Sequence, residues 1–115
     1  MGFFDRIFGK KPPEEAAQVT TPVAVQQVAQ QQSIPAERVG PDGQYDESGL
    51  AKRVALAFDQ DASLTDLERL WVAQTGSTVV LKGEVPSQDL LNKAIGIASS
   101  TAGATGVNTD GIKVG

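Results

Sequence analysis

The chain has 115 residues and a formal net charge of −4, and it contains neither cysteine nor histidine. That length holds one small core. The missing residue types exclude disulfides, thiolate nucleophiles, the usual zinc ligands and the commonest general base. The acidic balance argues against nucleic acid, which is bound by neutralising phosphates with lysine and arginine. The composition therefore predicts a binding module rather than an enzyme, with no metal held by side chains.

Residues 1–11, MGFFDRIFGKK, space Phe3, Phe4, Ile7 and Phe8 so that they share one helical face, with Asp5 opposite. Gly9 supplies a stop, and Lys10 and Lys11 complement the negative end of the helix dipole. A helix this short has no stability of its own in water and needs an apolar surface to form against. The charges break the apolar run before a secretory leader or a membrane span is complete, and Arg6 stands where a myristoylation signal wants serine or threonine. The expected compartment is the cytoplasm, with peripheral attachment to the inner membrane face if this segment is an anchor.

Residues 12–44 carry Pro12, Pro13, Pro22, Pro35 and Pro41 and a run of glutamines, with no aromatic residue. Such a stretch offers little apolar area against its ordering entropy and predicts a flexible linker. Val23, Val25 and Val28 leave room for a turn of helix between prolines.

From Tyr45 the pattern becomes that of a folded domain, residues 45–115. Asp46 or Ser48 is placed to cap a helix with Leu50, Ala51, Val54, Ala55 and Phe58 on one face. Two strands follow, 68–74 and 78–85, joined through Thr75-Gly76-Ser77. Ser87 opens a second helix whose buried stripe is Leu90, Leu91, Ala94, Ile95 and Ala98, and Gly103 sits where a left-handed turn ends it. Residues 106–114 supply a last strand, with a bulge near Asp110-Gly111. The order helix–hairpin–helix–strand predicts an α+β fold of two layers, both helices on one sheet face.

These residues resemble the BON domain family from about Leu50 to Val114. The resemblance rests on Leu50, Val54 and Phe58 of the first helix, the strand Val79-x-Leu81-x-Gly83-x-Val85, Ser87, the turn Gly103-Ala104-Thr105-Gly106-Val107, and Val114. It implies a non-catalytic bacterial module associated with phospholipid membranes. A cytoplasmic subgroup resembles potassium-binding proteins, which makes an ion the alternative ligand; a protein partner is the third reading.

Three constellations bear on these readings. Phe3, Phe4, Ile7 and Phe8 followed by Lys10 and Lys11 suit an interfacial membrane anchor; the same segment can instead fold back on the domain. If Leu70, Val72, Val79 and Leu81 face the helices, Trp71 and Val80 point to the open sheet face and offer a docking patch, whereas a one-residue shift of register buries Trp71. At the end of the second helix, the carbonyls of Ala102, Gly103 and Ala104 form a candidate site for a monovalent cation, potassium, unless the Gly103 turn caps them in the ordinary way. Asp59-x-Asp61-x-Ser63 starts like a calcium loop but lacks its glycine and its closing glutamate, since Leu64 and Leu70 stand there; a solvated loop is the reading.

Overall fold

The helix that opens the domain runs over Gly49–Asp59 and turns Leu50, Ala51, Val54, Ala55 and Phe58 to the interior, as its 3.6-residue spacing requires. In the computed structural model, which describes residues 3–9, 19, 21–64 and 67–115, it is the third of four helices. In chain order the elements are α1 (Phe3–Phe8), α2 (Pro22–Gln32), a 3-10 turn at Ala36–Arg38 and α3 (Gly49–Asp59). Then come β1 (Leu70–Thr75), β2 (Thr78–Val85), α4 (Gln88–Ser100) and β3 (Gly106–Val114). The fold is α+β.

Strand β1 pairs antiparallel with β2 through a two-residue turn in which Gly76 takes φ +59°, the conformation that matches strand twist in tight hairpins. Strand β3 pairs with the other edge of β2 in parallel, so α4 is the crossover of a β-α-β unit. The register between β2 and β3 slips after Val80↔Asn108 and resumes at Lys82↔Gly111. One extra residue of β3 is thus accommodated as a bulge, where the amide of Asp110 donates to the side chain of Asn108.

Period-two alternation decides the two sheet faces. Leu70, Val72, Val79, Leu81 and Val85 point to the helices and are buried, while Trp71 stands 43% exposed on the other face. Gly83 explains the glycine in the Val-x-Leu-x-Gly-x-Val run. Its φ is +106°, and a β-carbon there would sit 1.7 Å from the carbonyl oxygen of Arg69. The close approach lets the Arg69 carbonyl accept from the amide of Glu84 and starts β1 in register.

Both α3 and α4 cover the inner face, with Leu91, Ala94 and Ala98 of α4 buried and Leu90 and Ile95 packed at the edge of the core. Ser87 caps α4 by accepting from the amide of Leu90. At α3, Asp46 turns the chain by accepting from the amide of Ser48, and Ser48 makes no side-chain cap. A cap from outside the helix completes it: Gln74 of β1 accepts from the amide of Ala51 at 2.8 Å and donates to the carbonyls of Glu37 and Gly76.

Within the expected linker, residues 12–44, the described residues carry local structure. Thr21 caps α2 with Pro22 at its first turn, Ser33 ends it in the left-handed conformation, and Val25 is buried. Val39 is fully buried, and it bridges Tyr45 in an isolated antiparallel pair. Arg53 of α3 and Gln74 of β1 take up the backbone carbonyls of Ala36, Glu37 and Val39, which holds that turn against the domain without a large apolar face of its own.

Candidate functional site

Four helical residues at the N-terminus include three of the chain's four phenylalanines, and the structure turns them inward. Phe3 is fully buried and Phe4 is 3% exposed, both in one core with α3 and the sheet. Phe3 meets Phe58 edge-to-face at 5.4 Å, and Phe4 lies 5.3 Å from Phe8. Ile7 and Phe8 pack half-buried at the core edge, with the Lys52 ammonium 5.5 Å above the Phe8 ring. Of the two readings open to this face, free anchor and fold-back, the structure adopts fold-back, because α3 and β1 offer the apolar surface that a one-and-a-half-turn helix needs. Lys10 and Lys11 lie outside the described residues.

Docking of α1 is completed by charge. The Asp59 carboxylate accepts from the amides of Phe3 at 2.6 Å and Phe4 at 3.2 Å, satisfying two donors that have no partner within the helix. The Arg6 guanidinium lies over the rings of Phe3 and Trp71, at 4.7 and 5.2 Å, and donates to the carbonyls of Leu67 and Leu70. Burial pulls the Arg6 pKa below its ordinary value, opposed by the nearby charges of Asp59 and Glu68. Two buried atoms of this helix, Asp5 Oδ1 and Arg6 Nε, have no hydrogen-bond partner among the described residues. Each such atom costs about 1–3 kcal/mol.

Arg6 thereby joins α1 to the open face of the sheet. Cross-strand register sets Lys82 beside Trp71 and Lys113 beside Glu84 on that face. Arg69 reaches Glu84 at 3.1 Å with its own side chain largely in solvent. Arg6, Arg69, Lys82 and Lys113 thus gather on the side of Trp71, with Glu84 paired to Arg69 and the charge of Glu68 near Arg6, in a chain whose formal charge is −4. Val80, half-buried between Ala73 and Asn108, extends the apolar part of the patch.

Of the three carbonyls expected to face a cation, those of Ala102, Gly103 and Ala104, the first accepts from Arg53. Ala102 accepts from Nη1 of Arg53 at 2.5 Å; Nη2 of the same side chain donates to Ala36 at 2.6 Å and Nε to Val39 at 2.9 Å. The guanidinium is 1% exposed, and burial lowers its pKa to about 10, with Glu37 opposing. It remains a cation at neutral pH, and it gathers the three carbonyls itself. Gly103 adopts φ +93°, the left-handed turn expected of it, and packs so closely on the 3-10 turn that a β-carbon would lie 2.9 Å from the amide nitrogen of Glu37. Ala104 closes the turn by donating to the carbonyl of Thr101.

Arg53 was legible in one respect. It stands at the i+3 position after Leu50 and directly before Val54, so a charge interrupts the apolar stripe of α3. Its partners, and the capping roles of Gln74 and Asp59, have no local signal, because each acts on a segment distant in sequence.

A groove of about 550 Å³ opens between α3 and α4, lined by residues that include Leu56, Ala57, Lys93 and Ile97. Its hydroxyls are spent within their own helix: Ser100 donates to the carbonyl of Gly96 and Thr101 to that of Ile97. Lys93 is drawn off to Asp61 and Ser63. No helix among the described residues is long and apolar enough to cross a membrane.

Comparisons with curated proteins and with solved structures return no match. A family model described as the BON domain matches residues 46–115, the whole span from the Asp46 turn through β3. The chain belongs to the BON domain family.

Proposed function

We propose that this protein is a non-enzymatic binding module that associates with anionic phospholipid surfaces through the open face of its sheet. The observation that carries this reading is Trp71, 43% exposed on a sheet face ringed by Arg6, Lys82, Arg69 and Lys113. A tryptophan has an apolar body and a polar edge and settles at the headgroup level, and neighbouring cations add about 1 kcal/mol each near an anionic leaflet. The concentration of basic side chains on one face of an acidic chain gives that face charge complementarity to lipid phosphates. Family membership supports the same direction, since BON domains are binding modules linked to phospholipids.

Flotation with vesicles containing anionic phospholipid tests the reading. The full chain should co-float at low salt and dissociate as ionic strength rises. Lys82→Glu and Trp71→Ser should each remove it from the lipid fraction while leaving the far-UV circular dichroism unchanged. Equal flotation of wild type and both variants would reject the sheet face as the contact surface.

A further inference from the structure

The residues with the strongest affinity for a bilayer interior are not on that face. Phe3 and Phe4 are buried beneath α1, and the same helix supplies Arg6 to the edge of the Trp71 patch. We propose that α1 is a latch with two seats: the cleft between α3 and β1 in solution, and the lipid acyl boundary once the sheet face has met a membrane, with Asp59 holding the first seat. This proposal rests on the phospholipid reading above and adds to it a concealed second contact and the residue that conceals it.

The argument begins with what α1 needs. A six-residue helix forms only against an apolar surface, and its Phe3-Phe4-Ile7-Phe8 face suits a protein cleft and a lipid interface equally. The polar contacts of the docked seat come from few residues. Asp59 receives the first two amides, and Arg6 donates to the carbonyls of Leu67 and Leu70. Against these stand the two buried atoms with no partner among the described residues, Asp5 Oδ1 and Arg6 Nε, which water or headgroups would satisfy in the second seat.

Anionic headgroups act on both sides of the balance. They offer Arg6 a charged phosphate in place of neutral carbonyls, and a charge-assisted bond of that kind is the stronger one. They also repel the Asp59 carboxylate that holds the helix. The covalent path permits the exchange. Gly9 ends α1 with φ +68°, and among the described residues the chain is next held at Val19, whose amide donates to the carbonyl of Pro41. The residues between Gly9 and Val19 span up to roughly 30 Å when extended, enough for α1 to leave its cleft while the domain stays folded.

Two substitutions in the full chain pull the latch in opposite directions. Asp59→Asn removes the charge that holds the leading amides and should loosen α1. Hydrogen exchange across residues 3–8 should rise, the emission of Trp71, the sole tryptophan, should change as Arg6 leaves its ring, and vesicle association should tighten about tenfold. Asp5→Ala deletes a buried acceptor with no partner among the described residues, so it should slow that exchange and weaken vesicle association, although it removes a negative charge. Asp61→Asn controls for charge, since its carboxylate contacts Ser63 and Lys93 and not α1.

If Asp61→Asn tightens binding as much as Asp59→Asn, electrostatics alone explains the gain and the latch is overturned. It is equally overturned if Asp59→Asn leaves exchange in α1 unchanged, or raises exchange without tightening vesicle association. Asp5→Ala stabilises the docked form, so its weaker binding is readable even if Asp59→Asn folds poorly. A wild-type chain that floats through Lys82 and Trp71 with no response to Asp59→Asn or Asp5→Ala would sink only the latch. Failure of wild type and Asp59→Asn alike to float would sink the phospholipid reading itself.

Discussion

The guanidinium of Arg53 and the carbonyl of Ala102 lie 2.5 Å apart, and that bond ties the turn after α4 to α3. Through Ala36 and Val39 the same side chain holds the N-terminal segment against the BON core. Replacing it with leucine leaves three carbonyls without their donor and should cost about 3–5 kcal/mol, read as a lower urea midpoint. Arg53→Lys should lose less, since an ammonium keeps the charge without the planar fork that serves three acceptors. Potassium and sodium chloride at equal ionic strength should shift the wild-type melting temperature alike, because a guanidinium already holds Ala102. A potassium-selective rise would restore the ion-binding reading.

Two glycines should respond oppositely to alanine. Gly83→Ala places a methyl group into the Arg69 carbonyl at φ +106° and should destabilise by about 2–4 kcal/mol or prevent folding. Gly96 lies inside α4, where a β-carbon meets nothing within 4 Å. Gly96→Ala should therefore stabilise by about 0.5–1 kcal/mol through helix propensity. Thermal unfolding of the two variants side by side tests both values.

Removal of residues 1–9 should destabilise the domain, not merely detach a tail. Phe3 and Phe4 are buried in the same core as Phe58, and burying two such side chains contributes about 3–6 kcal/mol before ordering costs are subtracted. A net loss of about 2–3 kcal/mol in urea unfolding is expected once those costs are offset. An unchanged midpoint would show that α1 contributes nothing to the fold.

The Asp61 carboxylate is held below its ordinary value, first by the hydroxyl of Ser63 and then by Lys93 and the Ser63 amide. A depressed carboxylate pKa stabilises the folded state above the unfolded value of 3.8, and that contribution disappears as pH falls through the lower folded value. Wild type should therefore exceed Asp61→Asn in stability at pH 5–7, and the gap should close on acidification below pH 3.8. A gap that widens in acid would contradict this assignment.

The segment from Asp46 to Val114 was legible because its signals are local. Leu50, Val54 and Phe58 recur at helical spacing, Leu70 and Val72 alternate around Trp71, Ser87 caps its own helix, and Gly103 must turn left-handed. Each of these depends on residues within a few positions, so periodicity and propensity determined the α+β order and the bulge in β3, while the pairing of β1 with β2 decided between the two readings open to Trp71. The tertiary structure alone decided where the N-terminal phenylalanines go, because an amphipathic face does not specify which apolar surface it covers. It also brought the Arg53 guanidinium onto the carbonyls of Ala36, Val39 and Ala102. Those outcomes rest on Arg53, Asp59 and Gln74, whose hydrogen bonds span 14 to 56 positions. A donor or acceptor in a linear chain carries no mark of a partner so far away; only packing brings the two within bonding distance.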